Sequence, residues 1–237
     1  MTSEPSSPFA HGPLTTLLRR ELAMLEPLLG SVFGVWGLHI RPHVLAPSAL
    51  PPHLLSAMAE LSLAADGALE GAVRCAPQRL PFASESLKLV IAQHVLEQQG
   101  ASAETVAEEI ARVLAPEGIA LVFGFNPASL WRPWLRRHLA GDWRFHAATA
   151  WRDVLTRSSL DVLQVRYSGL WSPWAADDSR QAEMSRDGSR SFGRFCASWL
   201  LLARKRRSAL TPLRLNALRS DLKVNPTLVP GARRECA

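Results

Sequence analysis

The apolar positions fall into two periods that alternate along the chain. Leu14, Leu17, Leu18, Leu22, Leu25, Leu28 and Leu29 recur at three- and four-residue spacing, which predicts a helix with one apolar stripe, stopped by Gly30 and laid over the edge of a sheet. Phe33 to Arg41 (FGVWGLHIR) then reads as a short strand. Pro42, Pro47, Pro51 and Pro52 oppose helix formation in the next stretch; a second strand is expected at about Glu60 to Ala65, before Asp66-Gly67 turns the chain. Gly71 to Cys75 is a candidate third strand. Ser86 to Ala92 (SLKLVIA) is a fourth, nearly continuous in apolar residues, as in strands buried on both faces of a parallel sheet.

Downstream, Ser102 to Leu114 predicts a helix capped by Ser102, with Glu104 in its first turn and Val106, Ile110, Val113 and Leu114 as its buried stripe. Pro116-Glu117-Gly118 should end it. Ile119 to Phe125 is the next strand, Arg152 to Arg157 belongs to a helix, and Leu160 to Tyr167 and Phe195 to Ala203 are further strands. This alternation predicts an α/β, doubly wound and mostly parallel sheet. With 237 residues, 47% apolar and 20% charged, the chain suffices for one buried core plus appendages. The expected division is a disordered amino terminus (1–13), one domain (14–207) and an extended basic tail (208–237).

Charge changes that picture at one end only. The net charge is +6, but from Arg204 onward nine basic residues face two acids, leaving the rest of the chain at −1. With Pro212, Pro226 and Pro230, the tail should be solvated. It reads either as a solubilising device or as an anchor for an anionic partner such as a nucleic acid, another polyanion or a membrane surface. Three cysteines without paired spacing suggest no metal site and no disulfide framework. The acidic, proline-bearing start resembles no signal peptide, and no run is long enough to span a membrane, so a cytoplasmic protein is expected.

The candidate chemistry lies between Leu80 and Trp131, where LPFASESLKLVIAQHVLEQ and RVLAPEGIALVFGFNPASLW flank the helix. This run resembles the second half of class I S-adenosylmethionine (SAM)-dependent methyltransferases, in the group with LPF, SFD-x-V, LEH, RVL-x-PGG and GFNP-x-SLW motifs. The resemblance implies a Rossmann-like seven-stranded sheet in the order 3-2-1-4-5-7-6, with an antiparallel last hairpin, SAM as cofactor, and methyl transfer to an acceptor it does not identify. GFNPASLW with LLARKR and PGARRECA resembles, more closely, a little-characterised proteobacterial branch with a weakened glycine loop and a basic tail.

The same resemblance places SAM at the carboxyl ends of the strands, beside a D/E-x-G-x-G-x-G loop after strand one. Here Arg41-Pro42-His43 occupies that loop, and Gly37 lies within the strand. Proline removes an amide donor and fixes φ, so the loop cannot take its usual form. Asp66 stands one or two places late for the ribose acid, Ala76 replaces the adenine-binding aspartate, and Lys88 replaces the motif aspartate. Gln93 and His94 remain in place past strand four; His94 reads as a packing residue or as an acid or base. Glu97 reads as a helix-surface acid. Asn126 makes a turn or lines an acceptor pocket, and Trp131, with Trp134, Trp143, Trp151, Trp171 and Trp174, packs or forms an aromatic wall to which Arg132, Arg136, Arg137 and Arg144 could add anion recognition. No catalytic residue is assigned. The expected function is SAM-dependent methyl transfer, with a non-catalytic binding module as the alternative.

Overall fold

The computed structural model describes residues 8–97, 102–139, 143–169, 173 and 195–206. The chain divides into a compact unit, Met1–Arg207, and a second unit, Ser208–Ala237. Every described element belongs to the first.

Helix α1 (Pro13–Ala23) begins on a proline, where the missing amide costs nothing and φ is already helical. The single helix expected through Leu29 is instead two, because Pro27 has no N–H to bond back one turn; the short α2 (Glu26–Leu29) follows. Disorder through residue 13 is also corrected for residues 8–13. Phe9 is buried, and its carbonyl accepts the Thr15 hydroxyl at 3.0 Å.

Seven strands form one sheet in the order β3-β2-β1-β4-β5-β7-β6. They are β1 (Phe33–Arg41), β2 (Leu54–Leu63), β3 (Leu69–Gly71), β4 (Leu87–Gln93), β5 (Leu114–Phe125), β6 (Leu160–Ser168) and β7 (Ser198–Lys205). The order is the expected one, but the sheet is mixed rather than mostly parallel. β1 pairs in parallel with β2 and β4, and β4 with β5, while β2–β3, β5–β7 and β6–β7 are antiparallel. A parallel neighbour needs a crossover of roughly a dozen residues, and only residues 64–68 separate β2 from β3. They make a tight turn, with Gly67 at φ +82°.

Several boundaries move. β2 begins at Leu54, six residues before the expected start and one residue beyond the Pro51-Pro52 pair. The third strand is Leu69–Gly71, and Cys75 only bridges back to Leu69. Pro116-Glu117-Gly118 lies inside β5, so α3 (Ala103–Val113) passes into the strand without a loop. β7 starts at Ser198 and runs through Lys205.

Alternation along the buried strands feeds two cores. Leu89, Ile91, Leu121, Phe123 and Leu200 face Leu22, Leu25 and Leu29 of α1 and α2. On the other face, Val90, Ala92, Ala120, Val122 and Leu201 meet α3 and α5 (Ala148–Arg157) through Val106, Ile110, Trp151 and Leu155. Between β1 and β2 no helix intervenes; the proline-bearing segment 42–53 makes the crossover. Helix α4 (Trp131–His138) joins a third cluster with Leu14, Leu17, Leu18 and Phe125. Among the described residues, no helix is long and apolar enough to cross a membrane.

Candidate functional site

Two side chains of α3 pin the LPF segment in front of β4. Glu109 accepts the Leu80 N–H at 2.6 Å, and its carboxylate takes Arg112 Nε and a terminal guanidinium nitrogen, each at 2.7 Å. Arg112 also donates to the Leu80 and Phe82 carbonyls. The Arg112 hydrogen bond in particular holds the Glu109 carboxyl below the usual carboxylate range. The arginine of the RVL motif is thus a clamp on the turn that feeds β4. Gly124, in the GFNP motif, is required because a Cβ there would lie 2.1 Å from the Trp199 ring.

At the carboxyl end of β4 a buried polar network replaces an open cleft. His94 has φ +52°, in the left-handed region, and its ring stacks on Phe125 at 3.7 Å between centroids. Its Nε2 lies 3.0 Å from both Glu21 carboxylate oxygens, and its Nδ1 3.0 Å from Glu97 Oε2. Gln93 Nε2 donates to Glu21 at 2.9 Å, and Glu97 also accepts the Phe125 amide. Glu21 and His94 are 0% exposed and Glu97 1%. Burial alone would lower the pKa of His94; the Glu21 charge and the bonds to both carboxylates outweigh it and raise it to about 9. Burial pushes Glu97 up, with His94 partly offsetting it. Both ring nitrogens therefore serve as donors to protein carboxylates, leaving none for proton transfer to a ligand.

Sequence reasoning placed Gln93 and His94 at this edge but missed Glu21 and mistook Glu97 for a surface acid. A signal existed: Glu21 falls on the apolar stripe of α1, seven residues after Leu14, where a charge is out of place. Next to Gln93, His39 of β1 is fully buried, and neither ring nitrogen has a well-formed hydrogen bond. Burial, then the Arg41 charge, lowers its pKa to about 4, and a loose contact with Gln93 offsets only part of this.

The loop after β1 is closed on itself. Arg41 donates to the Val44 and Ala46 carbonyls at 3.1 and 2.9 Å. His43 accepts the Leu45 amide through Nδ1 and the Ala46 amide through its carbonyl. Phe9 stacks on the His43 ring at 5.1 Å. Gly37 sits in mid-strand, paired with Met58 and Leu89, and a Cβ there would meet Leu55 and Met58 side chains at 2.8–2.9 Å. Its lack of a side chain serves sheet packing.

Asp66 lies in the exposed β2–β3 turn, bonded to the Ala68 amide and paired with Arg74; the amide first, then Arg74, holds its carboxyl low. Ala76 is exposed in the turn before LPF. Lys88 is at the opposite, amino end of β4, bonded to the Glu117 carbonyl, so its replacement of an aspartate has no bearing on this edge. Asn126 takes the Ala128 amide in a side-chain turn, and Trp131 is fully buried, edge-on to Trp134. Trp171 and Trp174 lie outside the described residues. The structure brings together Gln93, His94 and, through Phe125, Asn126; Asp66 and Ala76 stand apart in exposed turns. Of the residues the resemblance assigns to SAM, Gln93 and His94 are engaged within the protein, and Asp66 and Ala76 lie in exposed turns.

A methyltransferase-domain family model matches residues 53–122, and solved methyltransferase structures match 81–83% of the chain in fold. The chain has the class I methyltransferase fold. It is similar to a SAM-dependent methyltransferase of Thermotoga maritima, described as a possible histamine N-methyltransferase, at 13% identity over 81% of this chain and 92% of that one, TM-score 0.53. A candidate SAM-dependent methyltransferase of Listeria monocytogenes is 12% identical over 83% and 100%, TM-score 0.53. A candidate methyltransferase of Haloferax volcanii, solved with the Trm112 activator, is 14% identical over 81% and 89%, TM-score 0.50. No curated protein matches the sequence. At these identities the methyltransferase likeness is one of fold.

Proposed function

We propose that this methyltransferase-fold protein acts as a binding module in the cytoplasm, with the chemistry of the cofactor edge given over to structure. The observation that carries this reading is the Glu21–His94–Glu97 network, which fills the end of β4 with three buried groups, both acids bonded to the histidine between them. Methyl transfer needs an acceptor and a methyl donor held in line, and here the position that would face them is bonded to α1. The Leu45 and Ala46 amides, bonded within the loop, support the same conclusion. The odd cysteine count without paired spacing fits a reducing compartment.

A second reading, SAM-dependent methyl transfer to an unidentified acceptor, is favoured by the intact Glu109–Arg112 clamp and the family match over residues 53–122. Calorimetric titration of the full chain with SAM and with its demethylated product separates the two. The binding-module reading expects no heat and no thermal shift at millimolar ligand. Micromolar binding, lost in His94→Ala, would establish the enzyme instead.

A further inference from the structure

The outward face of α4 carries Arg132, Arg136 and Arg137 around Pro133, while Trp131, Trp134 and Leu135 turn inward. Arg144 is exposed on the segment whose amide bonds to the Glu97 carbonyl, and the adjacent Trp143 packs against the cluster that buries α4. None of these four guanidinium groups has a hydrogen bond or ion pair among the described residues. Elsewhere on the same body, Arg41, Arg74, Arg112, Arg157 and Arg204 each pair with an acid, whereas Arg19, Arg79, Arg152 and Arg166 stand singly without one among the described residues; what marks the α4 group is that its unpaired arginines are clustered. The one acid nearby in sequence, Asp142, lies outside the described residues.

Structure alone does not account for these charges. Arg136, Arg137 and His138 sit in the last turn, where the helix dipole favours cations. Arg132 sits in the first turn, where the dipole disfavours a cation, and that turn has no acid to compensate. Apart from Leu130 at its N-terminus and Pro133, the outward face carries none of the apolar residues an interfacial membrane helix would bury. What it offers is a row of planar forks on a body of near-zero net charge, a pattern suited to bidentate capture of phosphate oxygens.

We propose that the α4 face, with Arg144, binds the phosphate backbone of a nucleic acid at the carboxyl edge of the sheet. Its contacts are to phosphates, so affinity comes with counterion release and little sequence preference. The proposal supplies a partner for the binding-module reading but does not depend on the SAM titration; a SAM-binding protein could carry the same face.

The test measures fluorescence anisotropy of a labelled single-stranded RNA and of a labelled DNA duplex with the full chain, over a range of salt concentrations. Three proteins are compared: wild type, R132Q/R136Q/R137Q, and a full-length variant with Arg214, Arg219, Lys223, Arg233 and Arg234 changed to Gln. The α4 variant is expected to bind at least about tenfold more weakly, and its plot of log affinity against log salt should lose about two to three units of slope. The difference between the RNA and DNA arms then says which nucleic acid is preferred. Unchanged slope and affinity in the α4 variant, with loss only in the tail variant, would overturn the proposal, as would binding to anionic vesicles but to neither nucleic acid. Because the three arginines are exposed, melting should match wild type; if it does not, the single R132Q variant must show a slope loss of about one unit, and no loss overturns the proposal.

Discussion

The two halves of the sheet are built on different terms. From Leu80 to Trp131, each recognisable motif residue has a packing or clamping duty: Arg112 and Glu109 hold the LPF turn, Gly124 admits the Trp199 ring, and Asn126 turns the chain. From Phe33 to Cys75 the strands keep their order, but the crossover after β1 has no helix and β3 returns as a hairpin. In the motif half these residues support the fold; at the boundary with the other half α1 delivers Glu21 to the end of β4.

The largest test of that contrast removes the α1 contact. In Glu21→Ala a charged, fully buried imidazolium keeps only Glu97 as a partner. Removing one member of a buried pair typically costs about 3–5 kcal/mol. Urea unfolding should show that loss, and a change under about 1 kcal/mol would mean the network is not what holds α1 to the sheet.

A smaller loss is expected in the motif half. Glu109→Ala leaves the buried Leu80 amide without its acceptor and Arg112 without its acid. The unpaired amide costs about 1–3 kcal/mol. The loss should show in urea unfolding and be accompanied by faster proteolysis near residues 80–86, while α1 stays protected in hydrogen exchange. Equal deprotection of α1 would show that the two halves unfold as one.

Much of the fold was legible because it rests on periodicity. The stripe at 14–29, the buried run of β4 and the helix at 102–114 survive any uncertainty of a residue or two, although the Ser102 hydroxyl donates to the Glu104 carboxylate rather than capping a backbone amide. What stayed hidden depended on pairing at a distance. Nothing local says that β3 must be antiparallel until the turn length of 64–68 is known, or that Glu97 is buried, since one partner is 28 residues downstream and the other, His94, is itself held by Glu21, 73 residues before that histidine. Part of the charge counted from Arg204 onward belongs to the sheet, again through pairing at a distance. Arg204 and Lys205 lie in β7 and Arg206 follows it, paired with Glu117, Glu85 and Asp161 respectively, so part of the apparent tail charge is neutralised within the sheet. The remaining basic residues of that stretch lie outside the described residues.

The mildest effect is the pH profile, since one titrating group changes stability by at most about 1.4 kcal/mol per pH unit. His94 and His39, one on each side of this boundary, should act in opposite directions. The pKa of His94 is raised to about 9 in the folded protein, so its contribution is full below about pH 6.5 and is lost as pH rises through 9. Glu97, also raised, contributes in the same sense, losing stability as pH rises above the usual carboxylate range. The pKa of His39 is lowered to about 4, so its contribution is present above about pH 6.5 and is lost as pH falls through 4. The melting temperature should therefore peak near neutrality. His94→Gln should flatten the alkaline limb and His39→Phe the acid limb, each leaving the other limb in place. A profile that keeps its alkaline limb in His94→Gln would show that the imidazolium is not the group that ties helix α1 to the end of β4.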